Sequence, residues 1–201
     1  MSALQSQINP HFLYNTLEYI RMYALNKQQT ELADVVYAFS ALLRNNINQE
    51  KTTTLKEELD FCEKYVYLFQ MRYPDSIAYN FVVDDGLDKF VIPKFIIQPL
   101  IENYFIHGID YERQDNAISV KAHRYDEEVV IQIVDNGLGI EAQRLIEIND
   151  KLHRKGQKLP ESIGMTNVYE RIKGFFGEDS QMWIESEMNQ GTTIMIKIKA
   201  R

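Results

Sequence analysis

Cysteine is nearly absent from the sequence. Cys62 stands alone in 201 residues, so no intramolecular disulfide framework can hold the fold, and a reducing compartment fits this usage. Long apolar runs are missing as well. The longest, Val35 to Phe39 and Tyr65 to Phe69, span five residues each, against the roughly 18 that a membrane helix requires. There is no basic excess: 29 acidic side chains face 22 basic ones for a net charge of -7, which argues against a nonspecific nucleic-acid binder. The opening residues, Met1-Ser2-Ala3-Leu4-Gln5-Ser6-Gln7, carry neither the basic flank nor the apolar stretch of a secretory signal peptide. With 45% hydrophobic and 25% charged residues, the chain has a globular composition, and its length allows one large domain or two small ones.

The first third has helical periodicity. Leu32, Val35, Val36, Phe39, Leu42, Leu43 and Ile47 recur at spacings of three and four, the stripe of a helix that buries one face. Thr54 followed by Glu57 is a capping box opening a further helix that stops before Pro74. Two striped helices in under 50 residues have too little surface for a core of their own, so a bundle completed by a second copy is expected, and with it a homodimer. Beyond Pro74 the pattern alternates. Strands are predicted over Ile77 to Val83, Ala117 to Tyr125, Val129 to Val134, Met182 to Ser186 and Thr192 to Lys199, with helices near 94–107, 141–152 and 165–176. The mixture predicts an α+β layer: a largely antiparallel sheet covered on one face by helices.

Near the N-terminus, His11, Asn15 and Glu18 stack on a polar strip of a helical wheel, while Leu13, Leu17, Ile20 and Ala24 form one apolar stripe and Leu4, Ile8, Phe12 and Tyr19 another. The imidazole is expected to face outward. Pro10 either kinks this helix or is its first residue after an Asn9 cap. In the second case the helix dipole disfavours the imidazolium of His11 and leaves a nucleophilic nitrogen at neutral pH.

Three clusters in the second half carry more specific chemistry. In Ile131 to Ile140, a strand ends in the carboxylate of Asp135, followed by Asn136, Gly137, Leu138 and Gly139. An ionised carboxylate only accepts hydrogen bonds, so it selects the exocyclic amine of adenine over the carbonyl of guanine. Gly137, Gly139 and Ala142 also fit a dinucleotide fingerprint, but a hairpin strand precedes them and no parallel crossover strand follows promptly. In Gln98 to Gly108, Asn103 and His107 lie one helical turn apart and point at one ligand. The Asn103 amide oxygen suits Mg2+, which completes its shell from water and nucleotide phosphates; Glu102 beside it is a carboxylate able to orient a hydroxyl, water or imidazole. In Ser162 to Asn167, Gly164 is expected just ahead of a helix, where backbone donors bind anions. A basic island of Lys151, Arg154, Lys155 and Lys158 precedes it, suited to a mobile lid over phosphates.

In this order and spacing the clusters resemble those of sensor histidine kinases, in the group related to the LytS and YesM sensors. Gln7 to Leu17 is similar to that group's phosphoacceptor segment, Gln98 to Gly108 to its asparagine box, Asp135 to Gly139 and Ser162 to Asn167 to its two glycine boxes, and Gly191-Thr192-Thr193 to its closing strand turn. The resemblance implies a dimerisation and phosphotransfer region (1–52), in which a helical hairpin pairs into a four-helix bundle. A catalytic domain (53–201) would follow, with the two-layer α/β sandwich of the Bergerat, or GHKL, ATP-binding fold shared with gyrase, Hsp90 and MutL. It implies ATP and Mg2+ as cofactors, His11 as phosphoacceptor, Asn103 as metal ligand and Asp135 as adenine acceptor. Gly137, Gly139 and Gly164 would shape the pocket, with His107, Asn167 and Thr192 beside the nucleotide. Asn15 would hold a water for dephosphorylation. It further implies a response regulator receiver domain as partner and a membrane-anchored sensor upstream of this chain; because the ATP domain must then reach His11, a hinge is expected in the stretch around Lys51 to Thr54 and the following helix. Three residues depart from the family pattern: Phe12 stands where an acidic residue follows the histidine, Ile106 where a lysine is usual, and Ser162 where a glycine is common. With no acid after His11, Glu102 is the candidate general base. The alternative is a dimeric ATP-binding scaffold that signals by contact alone; a continuously turning ATP hydrolase of the same fold is a third reading.

Overall fold

The computed structural model describes residues 10–47, 50–153 and 163–199. Its first elements are two helices, α1 (Pro10–Asn26) and α2 (Thr30–Ile47), joined by a short turn in which Gln28 adopts a left-handed φ of 58°. α1 is described from Pro10 onward. The expected cap Asn9, together with Gln7, Leu4 and Ile8, lies outside the described residues. Ala24, Ala33, Val36 and Leu42 are buried, whereas Phe12, Tyr23 and Tyr37 are exposed, and Tyr19 is 72% exposed.

A short antiparallel ribbon comes next, β1 (Thr52–Thr54) against β3 (Val91–Pro93), with Thr53 opposite Ile92. The Lys94 N–H also donates to the Lys51 carbonyl at 3.0 Å. Backbone hydrogen bonds thus fasten Lys51 to Thr54, the first part of the expected hinge, to the ribbon partner. The capping box forms as read, with Glu57 N–H donating to Thr54 Oγ1 (3.2 Å) and Thr54 N–H to Glu57 Oε2 (3.0 Å). It opens α3 (Leu55–Arg72), which buries Leu55, Leu59, Cys62 and Val66 along one face.

The main sheet has the order β2-β4-β5-β7-β6, built from β2 (Ile77–Val83), β4 (Asn116–Tyr125), β5 (Glu128–Asp135), β6 (Gln181–Glu187) and β7 (Gly191–Lys199). It is antiparallel except at β2, which runs parallel to β4 because the chain crosses over through the next helix before returning. Alternate residues such as Val120, Ile131 and Ile196 point to the helical layer and are fully buried, each contributing about 1.5–3 kcal/mol by leaving water. Helices α3, α4 (Gln98–Asn103), α5 (Ala142–His153) and α6 (Ile163–Phe176) supply the other layer. The architecture is therefore the expected α+β sandwich.

Two helix starts differ from expectation. The predicted helix over 94–107 begins only at Gln98, because Phe95 takes a left-handed φ of 63° that no α-helix accommodates. It then widens into a π-turn, Tyr104–Gly108, closed by Ile109 N–H donating to the Tyr104 carbonyl at 2.7 Å. Conversely, α6 starts at Ile163, so Gly164 lies within its first turn rather than ahead of it.

Candidate functional site

Strands β5 and β7 are neighbours, and their register sets Asp135 opposite Thr192. Where β5 ends, the chain must turn under the π-turn. Leu138 N–H donates to the Gly108 carbonyl (2.6 Å), Gly137 packs against that same carbonyl, and Asn189 N–H donates to the Leu138 carbonyl (2.7 Å). At Gly139 the backbone has φ +70°, and a Cβ there would stand 2.0 Å from the Glu187 carbonyl oxygen, so only glycine fits. Asn136 stitches the turn to β4, accepting from Ala117 N–H and donating to the Asp115 carbonyl, both at 2.7 Å.

Above this turn opens a cavity of about 530 Å3, within the usual range for small-molecule sites. Asn103, Tyr104, His107 and Gly108 line it from one side, Asp135, Gly139, Ile140, Thr192 and Ile194 from the strand ends and the turn after β5, and Arg144, Ile148 and Met165 from α5 and α6. Two other clefts, about 450 and 590 Å3, are lined largely by surface charges and contain none of the asparagine or glycine clusters.

The Asp135 carboxylate is the polar floor of the cavity. Its Oδ1 accepts from Gly137 N–H (2.9 Å) and Thr192 N–H (3.2 Å), which fixes the rotamer. Its Oδ2 has no hydrogen-bond partner among the described residues, so an acceptor remains for a ligand donor. Burial pushes the Asp135 carboxyl above its ordinary range, while the two backbone donors pull it down. The Asn103 amide likewise makes no hydrogen bond among the described residues. Gly164 brings the start of α6 beside it: a Cβ there would stand 3.9 Å from Asn103 Nδ2.

Of the residues singled out from sequence, Asn103, His107, Asp135, Gly139 and Thr192 line one cavity, with Gly137 packed against the Gly108 carbonyl beneath it and Gly164, exposed, beside Asn103. Glu102 is not in the lining. Its Oε1 accepts from Gln98 Nε2 at 2.6 Å, and its charge acts on Tyr65 of α3, whose hydroxyl burial pushes up to about 12. Asn167 is exposed on α6 and also outside the lining. His11 and Asn15 are exposed on α1, with Asn15 Nδ2 3.3 Å from His11 Nδ1, and neither reaches the cavity. Ser162, Arg154, Lys155 and Lys158 lie outside the described residues; Lys151 pairs with Glu147 at 3.7 Å. Sequence reading missed Arg144, although Arg144 and Ile148 lie four residues apart, the spacing that puts them on one face of α5.

Comparison with known proteins fits this geometry. Residues 1–77 match the family model described as histidine kinase, and residues 94–201, more than half of the chain, match that of the histidine kinase-, DNA gyrase B- and HSP90-like ATPases. The chain belongs to the histidine kinase family. Sensor histidine kinase YesM of Bacillus subtilis (strain 168) is 35% identical to it over 100% of this chain and 33% of its own length. Sensor protein LytS of Oceanobacillus iheyensis is 32% identical over 92% of this chain and 32% of its own length. This histidine kinase chain thus spans about one third of the length of these relatives. The fold is shared with the histidine kinase domain of the blue-light activated histidine kinase from Erythrobacter litoralis, with a TM-score of 0.53 at 11% identity, covering 95% of this chain and 94% of that one. The two-layer sandwich is accordingly the GHKL ATP-binding fold of histidine kinases. Among the described residues no helix is long and apolar enough to cross a membrane.

Proposed function

We propose that the chain is the kinase core of a two-component sensor: residues 53–201 bind Mg-ATP, and His11, in the region 1–52, accepts the γ-phosphoryl group and passes it to an aspartate on a response regulator receiver domain. One observation carries the reading. Three segments far apart in sequence bring Asn103, His107, Asp135, Gly139 and Thr192 to a single cavity. The residues present fit an adenine nucleotide, because Asp135 Oδ2 is an acceptor without a partner among the described residues, placed among the apolar side chains of Ile140, Ile148 and Met165. Asn103 offers an amide oxygen to Mg2+. Among the described residues no cluster of three or more His, Cys, Asp or Glu side chains can hold a metal ion, so Mg2+ would arrive with the nucleotide phosphates.

When bound, Mg-ATP supplies the phosphoryl group and neutralises its developing charge. The chain's own residues do the positioning. Asp135 orients the base, Gly139 lets the backbone turn close beside it, and His107 and Arg144 stand at the cavity wall. His11 is held outside the cavity on α1, so phosphorylation requires the helical hairpin and the sandwich to move relative to one another. The exposed rings of Phe12, Tyr19 and Tyr23 support a homodimer that buries them in a four-helix bundle. The membrane attachment is proposed to lie in a sensor region upstream of this chain.

Incubation with γ-labelled ATP tests the assignment. An acid-labile, base-stable label that disappears in His11→Gln is expected; a label that survives the substitution would sink it. The contact-signalling scaffold draws support from Phe12, which offers no base beside His11, and from Ile106, 63% exposed where a phosphate-binding lysine is usual. Intact ATP binding with no label would favour it.

A further inference from the structure

The start of α4 is capped from a distance. Its N-cap residue, Ile97, gives no side-chain hydrogen bond, yet the N–H groups there are not orphaned. Glu58, on α3 and 5% exposed, turns its carboxylate into the turn: Oε2 accepts from Phe95 N–H at 3.0 Å, and Oε1 from Ile96 (2.8 Å), Ile97 (2.7 Å) and Gln98 (3.3 Å). A buried carboxylate is costly unless such donors surround it, and charge-assisted bonds to backbone N–H groups are the strong kind. An apolar residue would fill the same volume and fix nothing. The turn it holds contains Phe95 in its left-handed conformation.

The asparagine helix leads directly out of that turn. α4 has six residues, Leu100 and Ile101 are buried, and Asn103 is its last member, so a displacement at its start reaches Asn103 with little room to dissipate. Helix α3 also grips the far end, where the Phe69 ring stacks on Phe105 of the π-turn at a centroid distance of 4.2 Å. From the opposite side Arg171 of α6 donates to the Lys94 carbonyl at 2.9 Å. We infer that Glu58 is a positioning residue for the nucleotide site: through the turn at 95–98 it sets where Asn103 and His107 stand, and it makes α3 the arm by which the helical region adjusts the metal-binding side of the cavity. The inference rests on the Mg-ATP reading of that cavity.

The test uses the whole chain as wild type, Glu58→Gln and Arg171→Met. The glutamine keeps the shape but turns a donor toward N–H groups that need an acceptor; the methionine keeps the arginine's packing and loosens the same turn from α6. In nucleotide-free protein, amide hydrogen exchange over residues 95–103 is expected to quicken in both variants, with β5 and β7 unchanged. Mg-ATP affinity is expected to fall about tenfold in Glu58→Gln, the scale for removing the support of a metal ligand, and to fall less in Arg171→Met. Adenosine affinity without Mg2+ should change less than twofold. Affinities that fall together, or not at all, would overturn the positioning role. If the wild type binds adenosine but gains nothing from the triphosphate and Mg2+, the Mg-ATP reading fails, and the inference with it.

Discussion

Thr192 donates its backbone N–H to Asp135 Oδ1 across two adjacent strands, at 3.2 Å. The bond holds the carboxylate in the rotamer that leaves Oδ2 to the cavity. A ligand amine at Oδ2 would make a charge-assisted hydrogen bond of about 1.5–3 kcal/mol. Asp135→Asn should therefore weaken ATP binding roughly 10- to 100-fold and reduce the preference for ATP over GTP. Calorimetric titration with both nucleotides measures it.

The same carboxylate predicts opposite pH trends for binding and stability. Burial raises its pKa above the ordinary 3.8, so the folded state holds this proton more tightly than the unfolded chain does. Its contribution to stability is present in full below 3.8 and is lost as pH rises through the folded value. Measured by denaturant titration, the stability of the wild type minus that of Asp135→Asn should fall over that window and level off above it. ATP affinity should rise across the same window, because the ligand amine needs the ionised form.

Gly191 should not tolerate a side chain. Its φ is +104°, and a Cβ would stand 2.0 Å from the Asp135 carbonyl oxygen. Backbone strain and overpacking together should cost Gly191→Ala about 2 kcal/mol or more in thermal or chemical denaturation. Gly174, within α6, is the contrasting case, since a Cβ added there would meet nothing within 4 Å. At that position alanine should stabilise the protein by about 0.5–1 kcal/mol.

Arg144 lines the cavity, and its Nη1 donates to Glu147 Oε2 at 3.3 Å. If it faces phosphate when nucleotide binds, Arg144→Ala should weaken ATP binding about tenfold, the loss of one charge-assisted contact, and leave adenosine affinity unchanged. Competition against a fluorescent adenine nucleotide separates the two.

The Asn15 amide stands one turn from His11. Asn15→Ala should leave His11 labelling intact and lengthen the lifetime of the phosphorylated chain, measured as loss of label after ATP removal. Equal lifetimes in variant and wild type would remove Asn15 from dephosphorylation.

Much of the fold was written locally in the sequence. The capping box at Thr54 and Glu57 and the alternation of β4 and β5 depend on neighbours within a turn or a hairpin, and the structure has both where the pattern puts them; of the stripe of α2, Val36 and Leu42 are buried while Leu32 and Phe39 are exposed. What the sequence concealed was long-range. Three threonines in a row carry no apolar alternation, so β1 shows itself only through its partner β3, about 40 residues on. Glu58 reads as a solvent-facing charge beside Glu57. The one clue was its place among Leu55, Leu59 and Cys62, on the face that α3 buries. The cavity residues with glycine or asparagine signatures were legible, because backbone strain and polar chemistry restrict the residue types allowed there. Arg144 was not, because an arginine on an amphipathic helix is ordinary.

The position of β7 has a consequence for how the site comes into being during synthesis. This strand comes late in the chain, yet it lies inside the sheet, between β5 and β6, and its first residues complete the environment of Asp135. A nascent chain that stops short of residue 191 has the helices, the asparagine helix and the Asp135 turn, but no Thr192 to fix the carboxylate. Until then Gly137 alone fixes the carboxylate, and the site is complete only when a strand that most of the chain must wait for has joined the sheet.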